Sequence, residues 1–452
     1  MSNPLDVLDD LSGPRPALTA DEIDAAAKRI SDIIDPTPLQ RSERLSELTG
    51  ANVYLKREDL TAVRSYKLRG AYNLVMQLTA DERAAGVVAA SAGNHAQGVA
   101  FACQAMGITG RIYVPTTTPK QKRDRIRAHG GEFVELIAVG ETYDAAAAAA
   151  ADEVARTGAT MVAPFDDART AAGQGTIAPE ILEQLGAAPD LVIIPVGGGG
   201  CLAGIGTYLR ERSPRTAILG VEPAGAASMT AALVAGGPVT LPEIDPFVDG
   251  AAVRRIGAVP FAAVSGFGGR VVSHGSLPLL TTTTESPSGA GSFRMMHVDE
   301  GAICTTMLDL YQNEGIIAEP AGALAVTGLA EISVEPGSTV VCLVSGGNND
   351  VSRYGEIIER SLVHRGLKHY FLVDFPQEPG ALRRFLNEVL GPDDDVTMFE
   401  YVKRNNRETG AALVGIELGV PEGLGPLLER MRESPIQCEQ LEPGSPAYRY
   451  LT

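Results

Sequence analysis

Four short stretches of the chain carry residues able to do chemistry. The first, VRSYKLRGAYNL (63–74), sets Lys67 between an aromatic residue and a run with helical periodicity. A lysine at a helix start is ordinarily a solvated surface charge. Bracketed by Tyr66 and Leu68, it can lose hydration instead, and a partly desolvated lysine has a lowered pKa and can form a Schiff base. The second, PVGGGGCLAGIG (195–206), places Gly197, Gly198, Gly199 and Gly200 where the strand-like run DLVII turns into a helix. With no Cβ atoms in the way, backbone N–H groups there can converge on an anion at the helix N-terminus, which favours a phosphate cradle. The stretch lacks the Lys-Ser/Thr ending of a P-loop. Glu222 stands near the distance of a Rossmann acid but belongs to GVEPAGAAS, so the phosphate fits something smaller than a nucleotide.

The third stretch, SAGNHAQGVA (91–100), again runs from a strand end into a helix. Ser91, Asn94 and His95, with the exposed amides, could bind a carboxylate or a ring oxygen, and Ser91 or Asn94 could also cap the helix. In the fourth, CLVSGGNND (342–350), a strand ends at Ser345 before a glycine pair, a place suited to one polar contact with a ligand. A reactive lysine, a phosphate cradle, an anion nest and a polar serine together describe what pyridoxal phosphate needs.

The elements that must position these residues are legible in outline. From residue 86, short apolar runs (VVAAS, RIYVP, EFVEL, DLVIIP, TAILGVE, STVVCLV) alternate with helical stretches, the signature of an open, mostly parallel α/β sheet with ligands at strand C-terminal ends. The alanine-rich segment 143–155 reads as an ordered helix, since alanine is the strongest helix former. After SLVHRGLKHY (361–370) the order becomes strand 368–375, helix 379–390, strands 395–403 and 411–418, helix 422–434, strand 436–441. That is the βαββαβ order of a ferredoxin-like domain, and the expected division is 1–366 and 367–452. Residues 271–294, rich in Thr, Ser, Pro and Gly, break the rhythm and read as an exposed loop with poor order.

Composition bounds the rest. A chain of 452 residues exceeds what one core usually supports. A net charge of -18 argues against nucleic-acid binding, and the basic run KQKRDRIR (120–127) reads as the solvated face of a helix. The five scattered cysteines form no metal-ligand spacing and read as small buried hydrophobes in a reducing compartment, so no metal is expected. No leader-like segment or membrane-length apolar run is present in the sequence, which makes the cytoplasm the expected location.

With these motifs in order, the chain resembles the fold-type II pyridoxal-phosphate enzymes, most closely the biosynthetic threonine dehydratases. The segments KREDLTAVRSYKLRGA, ASAGNHAQGVA, PVGGGGCLAG, EPAGA and VSGGNND carry the resemblance, which spans roughly residues 21 to 441. It implies a two-subdomain catalytic unit in which Lys67 holds the cofactor, Asn94 contacts its ring hydroxyl and Gly197 to Gly200 bind its phosphate. By the same resemblance Ser345 faces the pyridine nitrogen, while Ser91, Gly93, Asn94 and His95 hold the substrate carboxylate. Glu319, in AEPAGA, matches a family glutamate near the cofactor to which no role is assigned.

The implied reaction is β-elimination of L-threonine to 2-oxobutanoate and ammonia, the first step of isoleucine biosynthesis. A serine facing the ring nitrogen does not keep it protonated, which favours elimination over transamination or racemisation. YFLVDFPQEPGALRRFL (370–386) and EYVKRNNRETGAALVGIEL (400–418) resemble a single ACT-like regulatory domain. This implies inhibition by isoleucine, opposed by valine, and a homotetramer. The alternatives are a relative acting on serine, as dehydratase or racemase, and a β- or γ-replacement synthase; in the synthases Asp typically follows the lysine, where this chain has Leu68.

Overall fold

The computed structural model describes residues 18–268, 270–271, 291–401, 408–442, 445 and 448. Two compact units emerge from its contacts. The first comprises residues 1–299 and 314–349, the second 300–313 and 350–452. The expected boundary at 366/367 lies inside the second unit, just before its first strand.

The first unit contains two sheets, so the alternation that runs on along the chain is divided in space. The smaller sheet holds β3 (Val87–Ala90), β4 (Gly110–Val114), β5 (Val134–Ala138) and β6 (Thr160–Met161), in the order β5-β4-β3-β6. All of its pairings are parallel. The larger sheet holds β1 (Leu39–Arg41), β2 (Asn52–Arg57), β7 (Leu191–Pro195), β8 (Ala217–Pro223), β9 (Arg270–Val271), β10 (Phe293–Val298) and β11 (Thr339–Val344). Its order is β1-β2-β11-β7-β8-β10-β9, parallel except for β1 against β2.

The inner strands of these sheets are buried on both faces, which explains why they read as continuous apolar runs rather than alternations. In β3, Val87 and Ala89 pack with Val99 and Cys103 of the helix Asn94–Met106, while Val88 and Ala90 meet Ala146 and Ala150 of the helix Tyr143–Thr157. Small alanine side chains let that second helix lie close on the sheet. In β7, Val192 and Ile194 join Leu202, Ile205 and Leu209 of the helix Gly200–Arg212.

The second unit carries β12 (Lys368–Pro376), β13 (Asp395–Tyr401), β14 (Thr409–Glu417) and β15 (Gln437–Gln440). They form an antiparallel sheet in the order β13-β14-β12-β15, as the ferredoxin-like order requires. Phe371, Val373 and Phe375 of β12 pack beneath Phe385 and Met431 of its two helices, Ala381–Glu388 and Leu424–Glu433. This is a core of its own.

Two expectations change. Of the segment 271–294, Val271 pairs in β9 and Phe293 and Arg294 in β10, because their backbone groups complete the edge of the large sheet; residues 272–290 lie outside the described residues. The basic run is a helix, Lys120–Gly130, but its face is not uniformly solvated: Lys122 pairs with Asp249 and Arg125 with Asn348. Among the described residues no helix is long and apolar enough to cross a membrane.

Candidate active site

The helix Lys67–Met76 begins at the lysine itself. Its approach is tightly held. The Thr61 hydroxyl donates to the Ser65 carbonyl (2.9 Å) and accepts from the Ser65 N–H (2.9 Å), and the Ser65 hydroxyl accepts from the Lys67 N–H (3.2 Å). Arg64 stands at φ +57°, the one non-glycine residue in the left-handed region among those described. Such a conformation is held in place by its surroundings. Here the Arg64 carbonyl accepts from Gly347 N–H (3.0 Å) and Tyr66 N–H donates to the Ser345 carbonyl (3.1 Å), which stitches the lysine turn to the end of β11.

Farther back, two acids anchor the helix, Glu58 fully buried and Glu180 partly exposed. Arg69, fully buried, donates to Glu58 through Nε (2.8 Å) and Nη2 (2.9 Å) and to Thr176 (3.0 Å), and pairs with Glu180 as well. Lys56 completes the set by donating to Glu180 (2.6 Å). Two cations and two anions thus balance in the interior, two residues from Lys67.

The Lys67 amine donates to the Pro164 carbonyl (3.2 Å) and lies 5.2 Å from the Tyr66 ring centroid. No carboxylate forms an ion pair with it among the described residues. Although the side chain keeps some solvent exposure, the amine lies deep in the protein. Burial pushes its pKa down to about 8, against the opposing influence of Cys201 and Glu319. An ordinary surface lysine would be fully charged at that pH.

Phe165, the residue after Pro164, lies against the glycine turn. A Cβ on Gly198 would run into the Phe165 ring, and one on Gly200 would come 3.1 Å from the Phe165 Cα. On the other side, a Cβ on Gly197 would sit 2.9 Å from the Ala251 Cα. Gly199, at φ +90°, is the N-cap of the helix Gly200–Arg212, and no side chain caps that end. Its first-turn N–H groups have no intrahelical partner and point at the space before the helix. The dipeptide Pro164–Phe165 therefore joins lysine and glycine turn, a link with no sequence signal because a backbone carbonyl supplies half of it.

The Asn94–Met106 helix is capped by neither candidate side chain. Gly93 is the N-cap, and the Ser91 hydroxyl accepts from the Gly93 N–H (3.3 Å), so Ser91 shapes the turn before the helix. A Cβ on Gly93 would meet nothing within 4 Å, which marks open space beside the first-turn amides. His95 is buried, with Nε2–H donating to the Val162 carbonyl (2.7 Å). Burial and then the Lys67 charge push its pKa down to about 3, so the ring is neutral. What His95 can offer an anion is its backbone N–H.

Asn94 has a defined environment. Its Nδ2 donates to Glu319 Oε1 (2.6 Å) and its Oδ1 accepts from Asn348 Nδ2 (2.8 Å). Glu319, the N-cap of the helix Pro320–Ala330, is buried, and that burial, with the Asp249 charge, pushes its pKa up to about 7. Ser345 is buried too, its hydroxyl donating to the Ala321 carbonyl (3.1 Å). A hydroxyl can turn its proton to suit a partner. Lys67, Asn94 and Ser345 thus meet through Asn348, Glu319 and the lysine turn, while Ser91 stays within its own turn. Asn348 lies within VSGGNND, and only its long-range contacts with Asn94 and Arg125 mark it as part of the site.

Residues 30–276 match the family described as pyridoxal-phosphate dependent enzymes, and residues 359–451 match the C-terminal regulatory domain of threonine dehydratase. The biosynthetic L-threonine dehydratase IlvA of Mycobacterium tuberculosis is 68% identical over 440 residues, covering 97% of each chain. This chain belongs to the biosynthetic threonine dehydratase family. Another family member, IlvA of Bacillus subtilis, is 47% identical over 94% of this chain and 96% of its own. Among solved structures, the processed threonine deaminase isoform 2 of Solanum lycopersicum aligns at 37% identity and a TM-score of 0.65, over 77% of this chain and 96% of that one.

Members of this family depend on pyridoxal phosphate, and the residues present fit that group. An uncapped helix end behind a side-chain-free turn suits a phosphate. A lysine amine with a depressed pKa suits an aldehyde, and a neutral hydroxyl at Ser345 suits an unprotonated ring nitrogen.

Proposed function

We propose that this protein is a threonine ammonia-lyase, converting L-threonine to 2-oxobutanoate and ammonia at the start of isoleucine synthesis. The observation that carries the reading is the Lys67 amine, unpaired with any described carboxylate and held by the Pro164 carbonyl, next to the Phe165 that packs on the glycine turn; burial lowers its pKa to about 8.

Pyridoxal phosphate, when bound, supplies an electron sink for the substrate α-carbon. Lys67 would carry it and, once its amine is freed by substrate, would take the α-proton. The backbone amides of Gly197, Gly198, Gly199 and Gly200 would hold the phosphate, Asn94 the ring oxygen and Ser345 the ring nitrogen. The first-turn N–H groups of Asn94 and His95, with the Ser91 hydroxyl and with Gly93 beside its open space, would orient the substrate carboxylate. The α-proton and β-hydroxyl leave together as water, and the released 2-aminocrotonate hydrolyses to the keto acid and ammonia. Neutral His95 adds no positive charge next to the lysine, which helps its amine stay deprotonated.

The match of residues 359–451 to a threonine dehydratase regulatory domain favours threonine over serine. Maize serine racemase shares the fold of the catalytic part, at 26% identity and a TM-score of 0.64 over 77% of this chain. Within the same reading, residues 367–452 bind isoleucine as inhibitor and valine as its antagonist, and the enzyme is a cytoplasmic homotetramer.

One assay tests the core of this. Purified protein given threonine alone should form 2-oxobutanoate and show the visible absorbance of a lysine-linked cofactor, with both lost in Lys67→Ala. Retention of both by the variant refutes the proposal. Product appearing only when a nucleophile accompanies an activated serine or phosphohomoserine would point to a replacement synthase. Added isoleucine should lower turnover, and valine should relieve that inhibition.

A further inference from the structure

Arg125 lies on the basic helix Lys120–Gly130, yet its guanidinium reaches a hydrogen-bond chain that ends at Glu319, whose charge acts on Lys67. Its Nη1 donates to Asn348 Oδ1 (2.7 Å). Asn348 Nδ2 donates to the Val63 carbonyl (2.7 Å) and to Asn94 Oδ1 (2.8 Å). Asn94 Nδ2 then donates to Glu319 Oε1 (2.6 Å).

The direction of this chain follows from donor and acceptor identity. A guanidinium only donates and a backbone carbonyl only accepts. Asn348 lies between one of each, so its oxygen must face Arg125 and its nitrogen Val63. That nitrogen in turn faces Asn94, which must answer with its oxygen. The Asn94 NH2 is therefore turned away from Asn348, with one N–H on Glu319 and the other without a protein acceptor among the described residues. Reversing Asn94 would set N–H against N–H at Asn348 and oxygen against the Glu319 carboxyl group.

We propose that Arg125 is a positioning residue: acting through Asn348, it fixes the Asn94 amide so that Asn94 meets the cofactor ring oxygen as a hydrogen-bond donor. This rests on the pyridoxal-phosphate reading given above. The chain also crosses between the two sheets of the first unit. Arg125 and Asn94 belong to helices of the small sheet, Asn348 and Glu319 to segments following or flanking β11 of the large one. A donor at the ring oxygen stabilises its deprotonated form, which is the form that absorbs at longer wavelength in the lysine-linked cofactor.

The experiment compares the visible spectra and threonine kinetics of the full-length holoenzyme with those of Arg125→Ala, Arg125→Lys, Asn348→Asp, Asn94→Ala and the double variant Arg125→Ala/Asn94→Ala. Asn348→Asp keeps a partner for Arg125, and so the tie between the elements, while replacing the donor that faces Asn94 with an acceptor. Arg125→Ala and Asn348→Asp should each lower the long- to short-wavelength band ratio by about two- to tenfold, the worth of one hydrogen bond. The kcat should fall by a similar factor with the KM for threonine changed less than about twofold. Arg125→Lys should recover most of the ratio, and the double variant should match Asn94→Ala alone.

A native band ratio in both Arg125→Ala and Asn348→Asp, with Asn94→Ala shifted, overturns the relay and leaves Arg125 a surface tie. Absence of any cofactor band in the native protein overturns the underlying reading instead, and the relay with it.

Discussion

The Phe165 ring occupies the space that a side chain on Gly198 would need, so any Cβ at that position forces the ring to shift. The same dipeptide receives the Lys67 amine through the Pro164 carbonyl at 3.2 Å. Gly198→Ala should therefore displace Phe165 and disturb both ends of the proposed cofactor site. Overpacking of this kind costs about 1–3 kcal/mol, so cofactor affinity should fall by roughly tenfold or more. Phe165→Ala in the same chain should restore part of it. Equilibrium dialysis with pyridoxal phosphate measures both, and unchanged affinity in Gly198→Ala would show that the turn does not carry the phosphate.

Cofactor capture should depend on pH through Lys67. In the proposed role its neutral amine is the nucleophile, and burial disfavours the charged form, lowering the pKa to about 8. Below that pH the capture rate by apoprotein should rise about tenfold per unit, and above it the rate should level off. A rate still climbing past pH 9.5, as for an ordinary lysine, would show that the amine is not desolvated. Stopped-flow absorbance after mixing with pyridoxal phosphate reads the profile directly.

Glu319 should cost stability at alkaline pH. Its carboxyl is raised from 4.5 to about 7 by burial, so the fold favours the protonated form. The stability it holds is fully present below about 4.5 and is lost as pH rises through about 7. Glu319→Gln keeps an acceptor oxygen for Asn94 and removes the titration. Relative to the native protein it should gain on the order of 2–3 kcal/mol between pH 4.5 and pH 8. Urea midpoints at the two pH values test this, and parallel behaviour of the two proteins would refute it.

Arg69 should matter for stability before it matters for chemistry. Arg69→Met would leave Glu58, which is fully buried, without its cation. Breaking such a pair by removing one partner costs about 3–5 kcal/mol. Glu58→Gln in the same chain should recover part of the loss by removing the stranded charge. A drop below about 1 kcal/mol in Arg69→Met, read from denaturant unfolding, would mean that water reaches Glu58.

The effector reading predicts a separable regulatory part. A chain ending at residue 366 should turn over threonine and no longer respond to isoleucine. Retained inhibition in a steady-state assay would place the effector site within the remaining residues.

Local chemistry was legible in the residues themselves. Four consecutive glycines after DLVII specify a side-chain-free turn whatever surrounds them, and apolar runs of β-branched residues specify buried parallel strands. The order of strands and helices from 368 to 441 was enough to name the ferredoxin-like order, since pairing in that motif follows from the sequence of its elements. Strand pairing between distant segments was not legible in this way: the alternation from residue 86 onward looks uniform, and only long-range hydrogen bonds sort it into two sheets.

The same physical limit governs the site. Sequence alone determined which residue types were available, a lysine in an apolar bracket, a nest, a serine at a strand end. Tertiary structure decided what surrounds them, because desolvation and donor–acceptor matching depend on neighbours far away in the chain. Pro164 is 97 residues from the lysine it receives, Glu319 is 225 from Asn94, and Arg125 is 223 from Asn348. His95, expected as a polar ligand, became a neutral buried ring with a backbone amide to offer, and a stretch of surface charge acquired an arginine that faces inward.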